Sequence, residues 1–115
     1  MAKFLLIFRG GASSLSPPLS PTELQAHLAK WTTWMKGLRE AGHNPGGQPL
    51  RRDGKTVRGR DKVVTDGPFA ESKDLVTGTL VIEASALDMA VEGVRSCPIF
   101  EIDGSIEVRV AFEQP

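Results

Sequence analysis

Apolar residues in this chain recur with two periods, every second residue and every three to four residues, and the switches between them outline its elements. From Lys3 to Arg9 the run Phe4-Leu5-Leu6-Ile7-Phe8 reads as a buried strand, and Gly10-Gly11 ends it where the backbone must turn. Ala12 to Leu19 is rich in Ser and Pro. Ser20-Pro21-Thr22-Glu23 then reads as a helix start: Ser20 can cap, Pro21 suits the first helical position and Glu23 completes a capping box. Leu24, Leu28, Trp31, Met35 and Leu38 follow at steps of four and three, predicting one apolar stripe on a helix of roughly five turns that Gly42 stops. His27, Trp31, Trp34 and Leu38 share that side or its border, which sets one histidine beside two indoles.

His43 to Gly47 has the composition of a loop, and Leu50 to Arg60 predicts an exposed hairpin turned at Asp53-Gly54. Lys62 to Thr65 is a short strand. Val76 to Ala84 is the clearest interior strand, with Leu80 and Ile82 on one face and Thr79, Val81 and Glu83 on the other. Ser85 with Asp88 resembles a second capping box, opening a helix through Ala90, Val91 and Val94 that Pro98 cuts off. After an Asp103-Gly104 turn, Ile106, Val108, Val110 and Phe112 alternate with Glu107, Arg109 and Ala111 in a last strand.

This order suits an α+β chain with an antiparallel sheet and both helices on one face, the ferredoxin-like arrangement, as one domain over residues 1–115. The other sheet face is then open. Apolar residues occur on both faces of several strands, so that face is expected to be covered by a second copy, giving a homodimer.

Composition narrows the function classes. Fourteen basic and 14 acidic side chains leave a net charge of zero, so no global field draws the chain to nucleic acid or an anionic membrane. The lone Cys97 cannot form an internal disulfide, and one Cys with two His does not make a structural zinc cage. The apolar run Phe4–Phe8 is too short for a signal peptide or a membrane span, which predicts a cytoplasmic chain. Arg51, Arg52, Lys55, Arg58, Arg60 and Lys62 against Asp53 and Asp61 give the hairpin a local charge of about +4. That charge serves to attract an anion or to keep a sheet edge from aggregating, and without interleaved aromatics the second reading is preferred. No phosphate-cradling Gly loop, dinucleotide fingerprint or serine-nucleophile elbow is present, so no cofactor is expected.

One segment carries a family resemblance. Val63-Val64-Thr65-Asp66-Gly67-Pro68-Phe69-Ala70-Glu71-Ser72-Lys73 resembles the hallmark of DGPF-type members of the YCII-related family. Thr77-Gly78-Thr79-Leu80-Val81-Ile82, Ser85-Ala86-Leu87-Asp88-Met89-Ala90 and Cys97-Pro98 followed by Gly104-Ser105-Ile106-Glu107-Val108-Arg109 stand in that family's order. The resemblance implies a dimeric ferredoxin-like α+β barrel. In the enzyme-like branch it implies proton transfer by a helix-one His and an Asp, and Gln25-Ala26-His27-Leu28 is similar to the His segment. That branch's Asp-Pro-Tyr-like segment falls here on Cys97-Pro98-Ile99, a departure from the pattern.

The candidate chemistry follows from these residues. In Asp66-Gly67-Pro68-Phe69 a tight turn alone accounts for all four residues, and the functional alternative places Asp66 at a pocket rim near His27. His27 reads either as a proton shuttle or as a half-buried helix residue bonded to a backbone carbonyl. The expected catalytic pair is His27 and Asp66, with Trp34, Phe69 and Phe100 as substrate-binding walls. Three functions fit: a cofactor-independent acid–base lyase or isomerase on a small molecule, a non-catalytic ligand-binding or regulatory module linked to transcription, and a dimeric interaction protein.

Overall fold

The computed structural model describes residues 1–67 and 74–112. Six strands and two α-helices follow in the order β1 Ala2–Arg9, α1 Pro21–Glu40, β2 Gly46–Pro49, β3 Lys55–Arg58, β4 Val63–Asp66, β5 Val76–Ala84, α2 Leu87–Val94 and β6 Ser105–Val110. Short 3₁₀ turns occupy Ala12–Ser14 and Pro98–Ile102.

The main sheet has the order β2-β5-β1-β6, all antiparallel. Because β1 and β5 alternate, Phe4, Leu6 and Phe8 share one face with Leu80 and Ile82, and that face is buried beneath the helices. Trp34 and Leu38 of α1 and Ala90 and Val94 of α2 complete the core. Two helices on one face of a four-stranded antiparallel sheet are compatible with a ferredoxin-like fold. On the opposite face Leu5, Ile7 and Val81 are left partly or largely exposed.

Helix α1 forms where its sequence signals predict. The Ser20 hydroxyl accepts from Glu23 N–H at 3.1 Å, and the Glu23 carboxylate accepts from Ser20 N–H at 3.0 Å. At the other end Gly42, at φ 84°, lets Gly42 N–H reach Arg39 O and His43 N–H reach Leu38 O, a Schellman close. The buried seam differs from the predicted stripe: His27, Trp34 and Leu38 are buried, Trp31 and Met35 pack against the core, and Leu24 and Leu28 are exposed. The cause is the aromatic cluster. Phe8 meets Trp31 and Trp34 edge-on at 5.6 and 6.4 Å, and Trp34 Nε1 donates to Gly93 O of α2, which turns the indole edge of the helix inward.

Three further expectations are corrected. Gly46-Gly47-Gln48-Pro49 is an edge strand, not a loop, and at Gly47 any β-carbon would meet the Thr79 carbonyl and lie 2.8 Å from Leu80 Cα. The second hairpin turns at Gly59–Lys62, where Gly59 and Lys62 take positive φ, so Asp53-Gly54 only leads into β3. β3 and β4 pair with each other as a separate two-stranded sheet. Finally, α2 starts one residue later than expected: Ala86 is its N-cap and no side chain caps it.

Candidate functional site

Beneath the N-terminal half of α1 lies a cavity of about 480 Å³, within the range that holds small ligands. Gly78 of β5 stands opposite Phe8 in the cavity floor, and Gly47, which lets β2 press against the Thr79 carbonyl, brings the edge strand up to line it. The register of β1 against β5 slips between Phe8 and Arg9, leaving Thr77 in a bulge with its hydroxyl donating to Phe8 O. Gly10 and Gly11, at φ 77° and 93°, carry the chain away from β1 along the cavity rim. Trp31, Met35 and Ile99 supply apolar wall.

His27 is the polar centre of this site. It is 8% exposed and is the one buried side chain of polar or charged type among the described residues. The i, i+4 spacing sets Trp31 one turn on, and Trp31 Nε1 donates to His27 Nε2 at 2.9 Å. The imidazole and indole planes meet at 77°, and Trp31 in turn packs edge-on against Trp34 at 5.4 Å.

The other expected site residues are distributed elsewhere. Trp34, 7% exposed, lines a groove of about 700 Å³ between α1 and α2 together with Gly37, Leu38, His43 and Gly93. Phe100, 44% exposed, borders a depression of about 650 Å³ formed with α2 and β6. Asp66 lines none of these three spaces. It ends β4 opposite Lys55, whose Nζ donates to its carboxylate at 2.6 Å, and the cross-strand pairing holds it on the exposed hairpin. In the single chain His27 and Asp66 therefore do not share a cavity. Phe69 lies outside the described residues.

Sequence reasoning missed the Gly47–Leu50 and Thr77 walls, for which the adjacent glycines were the available signal. It also gave no role to His43, whose Nδ1 donates to Glu83 O at 2.7 Å while Glu83 N–H donates to His43 O, joining the loop after α1 to β5. Among the described residues no group of three or more His, Cys, Asp or Glu could hold a metal ion, and no helix is long and apolar enough to cross a membrane.

Besides the Glu23 cap, whose hydrogen bonds with Ser20 hold its carboxyl below the usual range, two further described groups are set by their surroundings. Arg9 and Arg109 donate to Glu107 at 2.8 and 3.1 Å on the open sheet face and hold its carboxyl below the usual range. Burial pushes the Cys97 thiol up to about 12. The folded chain is thus expected to resist a thiol reagent at neutral pH and to react once unfolded in guanidinium, while rapid labelling of the native chain would show an exposed thiolate. The unfolded thiol ionises first, near its ordinary 9.0, so the unfolded chain binds fewer protons above that point. Stability falls as pH rises from 9.0 toward about 12, and Cys97→Ala removes this component.

These features define an antiparallel α+β protein with a histidine-centred, largely apolar cavity between its first helix and its sheet. The chain belongs to the YCII-related domain family, whose family model matches residues 2–113. Comparison with curated proteins gives no match, so the assignment rests on that domain.

Proposed function

We propose that this chain, as one DGPF-type domain in the cytoplasm, binds a small molecule with an apolar body in the cavity beneath α1, and does so as a homodimer. The observation that carries the first part is His27, a polar ring more than nine-tenths buried, in a space of ligand size with apolar walls. Binding is preferred to acid–base catalysis because Asp66 stands on the hairpin with Lys55, so the expected catalytic pair would need the hairpin of a second copy to deliver it. The homodimer is supported by the row of Leu5, Ile7 and Val81 on the open sheet face, bordered by the Arg9–Glu107–Arg109 cluster, whose mixed charge suits a two-fold related copy of itself.

Both tryptophans lie at or beside the cavity, so a binding ligand is expected to change their emission and to raise the melting temperature. Screening small aromatic and aliphatic carbonyl compounds this way should yield binders that lose about tenfold in affinity in His27→Ala, the equivalent of one hydrogen bond. Binding unaffected by His27→Ala, or no binder at all, would remove this reading. Turnover of a binder that disappears in His27→Ala would establish the acid–base enzyme in its place.

A further inference from the structure

We infer that Trp31 fixes His27 as a hydrogen-bond donor toward the cavity, so that the ligand taken there presents a carbonyl or carboxylate oxygen on an apolar body. The inference rests on the cavity being a binding site and adds the chemistry of what it selects. An indole N–H can only donate. At 2.9 Å from Trp31 Nε1, His27 Nε2 must therefore offer its lone pair, and the single proton of the neutral ring lies on Nδ1. Nδ1 has no hydrogen-bond partner among the described residues, and it is not sealed from solvent either. A donor thus stays unpaired on a residue that lines a largely apolar space.

Among the described residues the remaining walls carry no negative charge against that polarity, while Ser13 and Gln48 can give or take a hydrogen bond. Among the described residues no Asp or Glu lines the cavity, so an ammonium group would meet no carboxylate there. The Thr77 hydroxyl gives its proton to Phe8 O, so it offers the cavity no second donor. For His27 to accept a proton from a ligand at Nδ1, the ring would have to move its own proton to Nε2, against the indole N–H. The arrangement favours giving a hydrogen bond over taking a proton, and makes Trp31 a positioning residue for it.

The experiment reads the tautomer first, without ligand. In the full chain labelled with ¹⁵N, two-bond proton–nitrogen spectra of the two imidazoles, assigned with His27→Gln, should show neutral His27 with a pyrrole-type Nδ1 and a pyridine-type Nε2. Trp31→Phe should move neutral His27 toward the Nε2–H form. Acetophenone, isopropylbenzene and benzoate are then titrated into the wild-type chain. Acetophenone and isopropylbenzene share an outline, and only the first carries an acceptor, so about a tenfold preference for acetophenone is expected. Benzoate distinguishes a carboxylate site, where it binds more tightly than the ketone, from a carbonyl site, where it binds more weakly.

A neutral His27 found as Nε2–H in the wild type overturns the inference even if all three compounds bind. Equal affinity for acetophenone and isopropylbenzene overturns it as well, with the binding function intact. If none of the three binds while the Nδ1–H tautomer is seen, the function proposed for the cavity falls, and the ligand selection falls with it. Because the wild-type spectra and titrations do not depend on Trp31→Phe, a Trp31→Phe chain that fails to fold does not affect these outcomes.

Discussion

Ile82→Ala is expected to lower the stability of this fold by about 2–5 kcal/mol, against a total of about 5–15 kcal/mol for a domain of this size. Ile82 is fully buried in the C-terminal half of β5, paired with Phe4 of β1, and it belongs to the cluster that joins the sheet to Ala90 and Val94 of α2. Truncation removes three carbons from the point where sheet and helix meet, and the β-strand backbone on both sides is held by its ladder, so the space cannot close by collapse. Urea unfolding should show a lower midpoint with an unchanged slope. Val57→Ala, on the exposed hairpin, is the control and should stay within about 0.5 kcal/mol of the parent. Equal effects of the two substitutions would mean that the core has been placed on the wrong face of β5.

The same alternation explains what could be read from the sequence. In β5 the run Leu80-Val81-Ile82 is apolar throughout, and the polar Thr79 and Glu83 that flank it mark the outer face, so the period of two assigns Val81 to that face and Leu80 and Ile82 to the core, a division the structure keeps. The cap at Ser20 and the stop at Gly42 were equally legible, because both are local chemistry: one hydroxyl, one carboxylate and one positive φ. β2 was not legible. Gly-Gly-Gln-Pro has no strand propensity, and it becomes a strand only because β5 offers an edge and Gly47 allows the backbones to approach.

The site divides along the same line. His27 and Trp31 are neighbours through helical spacing, so their association is written in the sequence, although which ring nitrogen accepts is a matter of side-chain geometry. The association expected between His27 and Asp66 needed a long-range placement that nothing in the chain specifies. Lys55, the residue that holds Asp66 in the structure, is given by the hairpin register, and that register depended on finding the turn at Gly59–Lys62 rather than at Asp53-Gly54. With the turn read at Asp53-Gly54, Asp66 falls outside the hairpin, and Lys55 cannot be seen as its partner.

Val81→Asp carries the second large effect, on the proposed dimer. Val81 stands on the open face between Leu5 of β1 and Gly46 of β2, and it is 40% exposed in the single chain, so a carboxylate there can remain solvated and the monomer should fold with an unchanged circular dichroism spectrum. In a two-fold interface built on this face the same residue occurs twice, and each carboxylate would be buried among Leu5, Ile7 and their counterparts without a positive partner. An uncompensated buried charge costs about 3–5 kcal/mol, so the dimer dissociation constant should rise by at least about a hundredfold. Sedimentation of the wild type should give twice the chain mass of 12.4 kDa, and Val81→Asp should give the chain mass itself at the same concentration. Arg109→Glu offers an independent check at the rim: it removes a guanidinium from Glu107 and should weaken the dimer chiefly at low salt, where charge pairs at an interface edge are least screened. A wild type that sediments as a monomer, or a Val81→Asp dimer as tight as the parent, would leave the open face without a second copy and assign Leu5, Ile7 and Val81 to some other contact.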